Sequence, residues 1–318
     1  LFLYISIPLL VLTLILGTRL NEASRWLTLP GLGLTFQTSD LAKLALIMYI
    51  ARILSKHQEQ IKDFNTAFKP IVISVMIVCG LILPANFSTA AILFVISLIM
   101  LFIGRVSMKH LFAFIGIAAA GAGLLFLLIN KYPDIVPRGQ TWKSRITSYM
   151  DGDRDSNYQV RQSKIAIVSG GLFGKGPGNS TQRNFLPHPY SDFIYAIIIE
   201  EYGLLFGGLP ILILYLILLY RAGAIVRKSE RTFPAFLVIG LTFSLVFQAF
   251  INMGVTVNVF PVTGQTLPLV SMGGTSILFT SIAFGVILSV SRSVLKGQVT
   301  EEEQQAMEQD EEQFSYAT

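Results

Sequence analysis

Asp192 stands in Tyr190-Ser191-Asp192-Phe193-Ile194-Tyr195, where a long polar stretch gives way to an apolar run. An ionisable side chain at a membrane-length apolar segment is costly and marks a functional candidate. A carboxylate in this position can take part in catalysis, or it can cap the helix and complement its dipole. Glu200 and Glu201 lie two turns farther in, where pairing with a basic residue on a neighbouring helix competes with chemistry. Asp40 and Lys43 are spaced i, i+3, which puts them on one helix face and allows an ion pair. Desolvating both ions costs several kcal/mol, so the pair implies a polar cavity that opens outward. Arg25, in Ala23-Ser24-Arg25-Trp26, precedes that helix; its guanidinium suits bidentate phosphate binding, and with Trp26 it equally suits anchoring at the interface.

Between residues 130 and 191 stand nine cations: Lys131, Arg138, Lys143, Arg145, Arg154, Arg161, Lys164, Lys175 and Arg183. Gathered over a membrane face, they suit an anionic lipid headgroup such as a pyrophosphate, or simply solvated charge. Other patterns carry less. Asp151, Asp153, Asp155 and Asn157 imitate the start of a calcium loop, but Ser156 and Gln162 stand where glycine and glutamate are needed. The glycines from Gly174 to Gly178 follow no strand, which argues against a nucleotide-binding fold. His57, His110 and His188 lack metal-ligand spacing, and Cys79 is the one cysteine, so neither a disulfide nor a cysteine zinc site is available. No nucleic-acid partner is implied.

These residues must be positioned by membrane helices. Hydrophobic residues make up 53% of the 318 and charged ones 14%, and the mean hydropathy is +0.62, which excludes a soluble globular domain. Apolar runs predict an all-α polytopic bundle of about eight spans, near 2–18, 39–54, 70–84, 89–104, 111–129, 192–220, 233–254 and 274–292. Short loops with Arg52, Lys56, Lys62 and Lys69, with Arg105 and Lys109, and with Arg221, Arg227, Lys228 and Arg231 face the cytoplasm by the positive-inside rule. The loop of about 130–191 is then extracytoplasmic, and the C-terminus is cytoplasmic. Tyr158 to Ser169 places Val160, Ile165, Ala166 and Val168 for a short amphipathic helix on the membrane surface. The chain thus divides into a transmembrane domain, 1–297, and an acidic tail, 298–318, which composition reads as disordered. Starting on Leu1 without a signal-peptide pattern, it reads as beginning inside a longer protein.

Four segments in order resemble the SEDS polymerases, the FtsW and RodA families, with the division-type FtsW branch favoured. They are Ala23 to Leu27 with Gln37-Thr38-Ser39-Asp40-Leu41-Ala42-Lys43; Tyr158-Gln159, Gln162-Ser163, Gly170-Gly171-Leu172 and Gly174-Lys175-Gly176-Pro177-Gly178; Ser191-Asp192-Phe193-Ile194 through Glu200-Glu201-Tyr202-Gly203; and Pro261-Val262-Thr263-Gly264-Gln265 through Ser276. Family members have ten spans, so the resemblance implies that the first two are missing from this sequence. It also departs from the pattern: Asp40 stands where glutamate is common, Ser191 where threonine is, and Ala85-Asn86-Phe87-Ser88-Thr89 replaces Pro-Asp-Leu-Gly-Thr, which removes one cavity carboxylate.

The resemblance implies a peptidoglycan glycosyltransferase that polymerises lipid II into glycan strands at the outer face of the bacterial cytoplasmic membrane, during septal wall synthesis. Asp192 would be the general base. Arg25, Asp40, Lys43, Arg145, Gln159, Gln162, Ser163 and Lys175 would bind substrate. A divalent cation, Mg2+ or Mn2+, is implied without an assigned ligand set. The implied partners are lipid II and the growing glycan-lipid, a class B penicillin-binding transpeptidase, other divisome proteins and membrane lipids. A lipid II flippase and a non-catalytic divisome scaffold are the alternative readings.

Overall fold

The computed structural model describes residues 1–20, 23–28, 35–131, 139–143 and 158–317, the side chains of 18–20, 23–25, 28, 35 and 297–317 excepted. Each of the eight apolar runs is helical. In chain order the helices are α1 (Phe2–Leu16), α2 (Thr38–Lys56), α3 (Lys69–Ile82), α4 (Phe87–Ile103), α5 (Met108–Lys131), α6 (Tyr158–Gly170), α7 (Ile194–Gly203), α8 (Leu209–Lys228), α9 (Thr232–Thr256) and α10 (Gly274–Ala317). Among the described residues five stretches are long and apolar enough to cross a membrane: Phe64–Ile82, Met108–Lys131, Ile194–Lys228, Thr232–Thr256 and Gly274–Lys296. α1 and α4 are shorter apolar helices, while α2 has 19 residues and carries Asp40, Lys43, Arg52 and Lys56.

Helices associate in lipid through close packing and polar contacts, because acyl chains are as apolar as leucine. α9 shows this, lying at the centre against α2, α4, α8 and α10. A Cβ at Gly240 would come within 2.5 Å of Ile47 Cγ2 and 2.7 Å of Met100 Sδ, so glycine lets the three helices meet. Local chemistry marks the helix starts: Pro70 occupies the first turn of α3, and Asn86 caps α4 by accepting from Thr89 N at 3.3 Å. α10 continues as helix to Ala317, across the acidic stretch 298–318; its glutamates and glutamines are good helix formers.

Three features go beyond the helical pattern. Between α1 and α2 runs an antiparallel sheet, β1 (Thr18–Leu20), β2 (Ala23–Thr28) and β3 (Thr35–Gln37), in that order, with Trp26 opposite Gln37. β3 is fastened to α10 by Gln37 N donating to Thr275 Oγ1 at 3.3 Å and by Phe36 edge-on to Phe279. The second feature is α6. Its buried face is Val160, Ser163, Ala166 and Gly170, while Ile165 and Val168 are exposed. The expected surface helix is therefore present but turns its buried stripe toward protein: Ser163 Oγ donates to Thr256 O at 2.8 Å, and Gly170 lies directly on the Ile199–Glu200 backbone.

The third is a break in the long segment Ile194–Lys228. Gly203 adopts φ +79°, and a Cβ there would lie 2.3 Å from Leu172 O. The chain after α6 supplies partners for the freed backbone. Lys175 N and Gly176 N donate to Glu200 O and Glu201 O at 3.0 and 2.8 Å, and Leu204 N and Leu205 N donate to Gly171 O and Leu172 O at 2.9 and 3.1 Å. Irregular backbone within a membrane protein survives where other protein satisfies it.

Candidate active site

Asp192 lies two residues before the start of α7, and Phe193 takes the N-cap position, so the aspartate is not the helix cap. Its carboxylate is half-buried and accepts from Ser191 Oγ at 3.1 Å on Oδ1. The other side of the carboxylate faces the loop between α9 and α10. Gly264 there has φ +66°, a left-handed conformation that favours glycine, and a Cβ on it would sit 3.5 Å from Asp192 Oδ2. That loop is pinned to the residues before Asp192 as well: Ser271 Oγ donates to Ser191 O at 2.6 Å and Met272 N to Tyr190 O at 2.8 Å. Asn252 of α9 donates from Nδ2 both to Asp192 O, 2.8 Å, and to Gln265 O, 2.7 Å.

The Asp40–Lys43 pair forms as spacing expects, with Nζ 2.8 Å from Oδ1 and the two side chains 14% and 5% exposed for lysine and aspartate. Oδ2 of Asp40 is buried and has no partner among the described residues. Lys43 Nζ also donates to Gln248 Oε1 at 3.3 Å, and Gln248 Nε2 donates to Thr266 O and Thr266 Oγ1 at 3.0 and 3.2 Å. Gln265 Nε2 reaches Thr89 Oγ1 at 3.0 Å and Asn86 Oδ1 at 3.5 Å. One loop, residues 264–266, therefore meets Asp192 and the start of α4 and reaches Lys43 through Gln248.

From the start of α4 a cavity of about 520 Å3 extends between α4, α5 and α9, walled by apolar residues such as Ala91, Val95, Leu125 and Phe126. Its polar end holds Asn86, Thr263 and Lys143, with Trp142 packed on Phe87 at a ring separation of 5.5 Å. Thr263 Oγ1 is buried without a partner among the described residues, and the next residue is Gly264 against Asp192. An apolar trough thus carries Lys143 in its lining and ends at Thr263, one residue along the chain from the glycine that lies against Asp192, an arrangement suited to a lipid carrying a charged, sugar-bearing headgroup.

The remaining expected site residues fall elsewhere. Lys175 Nζ lies 2.6 Å from Glu200 Oε1, in a cluster on α7 where Glu200 is wholly buried and also accepts from Ser180, Thr181 and Gln182. Ser163 is fully buried and holds α6 to α9; Gln159 and Gln162 are half-buried on the same helix. Arg25 is carried by β2, but its side chain lies outside the described residues, as does all of Arg145. Among the described residues no group of three or more His, Cys, Asp and Glu side chains comes together. The described residues alone therefore offer no closed cage for a divalent cation. Asp192 or Asp40 can supply one carboxylate, and magnesium is commonly held by one or two carboxylates together with substrate phosphates. Asn252, Gln248 and Thr263 were not singled out from the sequence. The first two are amides four apart within the apolar run 233–254, and polar side chains inside a span were the available signal.

Residues 1–296 match the model of the FtsW/RodA/SpoVE family, described as cell cycle protein. The chain is 34% identical over 296 residues to the probable peptidoglycan glycosyltransferase FtsW of Trichlorobacter lovleyi, covering 91% of this chain and 74% of that protein. Against the stage V sporulation protein E of Bacillus subtilis it is 35% identical over 294 residues, 89% of this chain and 76% of the relative. Among solved structures it is similar to a chain in a peptidoglycan synthase complex that coordinates polymerization and crosslinking, with a TM-score of 0.72 and 26% identity over 92% of this chain and 80% of that one. The rod shape determining protein RodA of Thermus thermophilus gives a TM-score of 0.63 at 26% identity, over 92% and 76% of the two chains.

Proposed function

This chain belongs to the FtsW/RodA/SpoVE family of cell cycle proteins, and from that premise we propose that it is a peptidoglycan glycosyltransferase, polymerising lipid II into glycan strands during septal wall synthesis. The observation that carries the proposal is the Asp192 carboxylate, held against Gly264, the residue that follows Thr263 in the lining of the apolar cavity. The cavity accommodates a prenyl chain, and the headgroup then rests beside Asp192 and Lys43.

In the transfer, Asp192 takes the proton from an acceptor sugar hydroxyl as that oxygen bonds to the anomeric carbon of the donor. The bond from that carbon to the pyrophosphate oxygen breaks, and the lipid pyrophosphate leaves with the electron pair. Ser191 and the 264–266 loop hold the base in place before the sugar arrives, so little reorganisation remains at the moment of reaction. Lys43, Arg25 and Arg145 are the cations proposed to meet the leaving charge. Asp40 or Asp192 would supply a carboxylate to a divalent cation if one binds, and such an ion would supply further neutralisation of that charge.

The basic residues of the short loops support a reading with the C-terminus and the Arg221 to Arg231 loop on the cytoplasmic side and Asp192 on the outer side of the cytoplasmic membrane. A class B penicillin-binding transpeptidase is the proposed partner, supported by similarity to a chain of a complex that couples polymerization to crosslinking. The test is polymerisation of labelled lipid II by the full-length protein with its transpeptidase, with and without chelator, beside Asp192→Asn. The variant is expected to fold and to make no polymer. Polymer from Asp192→Asn at the wild-type rate would overturn the assignment, and translocation of lipid II without any polymer from the wild type would favour a flippase.

A further inference from the structure

Asn252 is 1% exposed, and both N–H bonds of its amide are taken, one by Asp192 O and one by Gln265 O. Turning the amide over would set its oxygen against two carbonyls, so the hydrogen-bond network fixes its orientation. The cost is visible: Asn252 Oδ1 is buried with no partner among the described residues. A side chain that leaves its own acceptor unsatisfied is poorly explained by stability alone. The two carbonyls it joins belong to the reacting aspartate and to the residue after Gly264, the residue that lies against Asp192 Oδ2.

Gln248, one turn earlier on α9, repeats the grip on the next residue. Its Nε2 donates to Thr266 O at 3.0 Å, and its Oε1 accepts Lys43 Nζ at 3.3 Å. Residues four apart stand one above the other on a helix face. α9 therefore holds the successive carbonyls 265 and 266 with two stacked amides, and through them fixes Asp192 relative to Lys43.

We propose that Asn252 is a positioning residue for glycosyl transfer, setting the gap between the Asp192 backbone and the Gly264–Thr266 loop so that the carboxylate meets the acceptor hydroxyl. This rests on the reading of Asp192 as the base. Loss of the clamp acts on the chemical step and leaves lipid binding in the cavity alone, and misplacing a base by about 1 Å costs on the order of a hundredfold in rate.

The experiment measures kcat and KM for lipid II in full-length Asn252→Ala and Asn252→Asp, with Asp192→Asn and Thr256→Val beside them. Asn252→Asp preserves shape but, when ionised, donates to neither carbonyl. Thr256 is equally buried on α9, and its hydroxyl reaches only the Asn252 carbonyl within the helix, at 2.8 Å, so its variant reports loss of packing. Both Asn252 variants are expected to lose about a hundredfold in kcat with KM near wild type, while Thr256→Val retains kcat. For Asn252→Asp the ratio of variant to wild-type kcat rises as pH falls, because burial raises the pKa of the new carboxyl and protonation restores one donor. Wild-type kcat in the Asn252 variants, a loss confined to KM, or an equal loss in Thr256→Val overturns the inference. Activity in Asp192→Asn would instead remove the reading of the base on which it stands.

Discussion

Lys175 Nζ lies 2.6 Å from Glu200 Oε1, and the carboxylate it meets is completely buried on α7, two turns beyond Asp192. Four other residues, Ser169, Ser180, Thr181 and Gln182, donate to the same carboxylate. The chain after α6 is thereby tied to the helix that carries the base, at the level where Gly203 breaks that helix.

This geometry orders two substitutions. Lys175→Met leaves Glu200 with its hydroxyl and amide donors, and the lysine side chain is 31% exposed, so the loss is about 2 kcal/mol, below the usual figure for breaking a buried pair. Glu200→Ala strands every donor in the cluster at once and costs about 4 kcal/mol, each hydrogen bond to a charged group being worth roughly 1.5–3. Thermal midpoints of the detergent-solubilised protein are expected to fall for both variants, and further for Glu200→Ala. A reversed order would show that the lysine, not the carboxylate, organises the cluster.

The Glu200 cluster also marks the limit of what sequence could tell. The eight helical runs were legible because each is an apolar stretch, five of them within helices long enough to cross a membrane, and the Asp40–Lys43 pair because its i, i+3 spacing is local. The partner of Glu200 lies 25 residues away in a glycine-rich stretch whose backbone pairs with a broken helix, and no local pattern encodes that. The sheet of residues 18–37 escaped for a related reason: its strands are three to six residues long and are held by Thr275 and Phe279 from the other end of the chain. Asp192 is a candidate from sequence because a carboxylate at the edge of an apolar run stands out. Asn252 and Gln248, uncharged amides in such a run, stand out less.

The Asp40–Lys43 pair predicts an asymmetry of its own. Asp40→Asn leaves Lys43 with Gln248 Oε1, and the ammonium retains 14% exposure. Lys43→Met leaves a carboxylate with one oxygen already unpartnered and the other newly so, in a side chain 5% exposed. Breaking a buried pair from the lysine side is therefore the costlier change, by about 1–2 kcal/mol relative to Asp40→Asn. The double variant Asp40→Asn/Lys43→Met should recover part of that stability, measured as thermal midpoint, without recovering polymerisation. Midpoints that simply add across the two single variants would deny the coupling.

Gly264 tests how closely the loop must approach the base. Gly264→Ala places a methyl 3.5 Å from Asp192 Oδ2, ordinary contact, but in a backbone conformation with φ +66° that costs an alanine about 1–2 kcal/mol. The loop is expected to relieve the strain by rotating away, which moves the carboxylate from its place. The variant should therefore lose polymerisation while remaining able to bind lipid II. Retained polymerisation in Gly264→Ala would mean that the loop does not set the position of Asp192.

The apolar cavity makes the last prediction, and its size is governed by the membrane. A prenyl chain leaving lipid for a cavity of about 520 Å3 exchanges one apolar surrounding for another, so the gain comes from packing and not from escape from water. Filling the cavity should thus raise KM only modestly, by roughly three- to tenfold, or about 1 kcal/mol. Ala91 and Ala122 line it from α4 and α5, and Ala122→Phe adds a ring from the α5 wall while leaving Asn86 and Thr263 unchanged. With a long-chain lipid substrate the variant is expected to show that rise in KM at nearly unchanged kcat, and with a short-chain analogue no rise at all. An equal rise for both chain lengths would place the prenyl tail outside this cavity, against the exposed faces of the bundle.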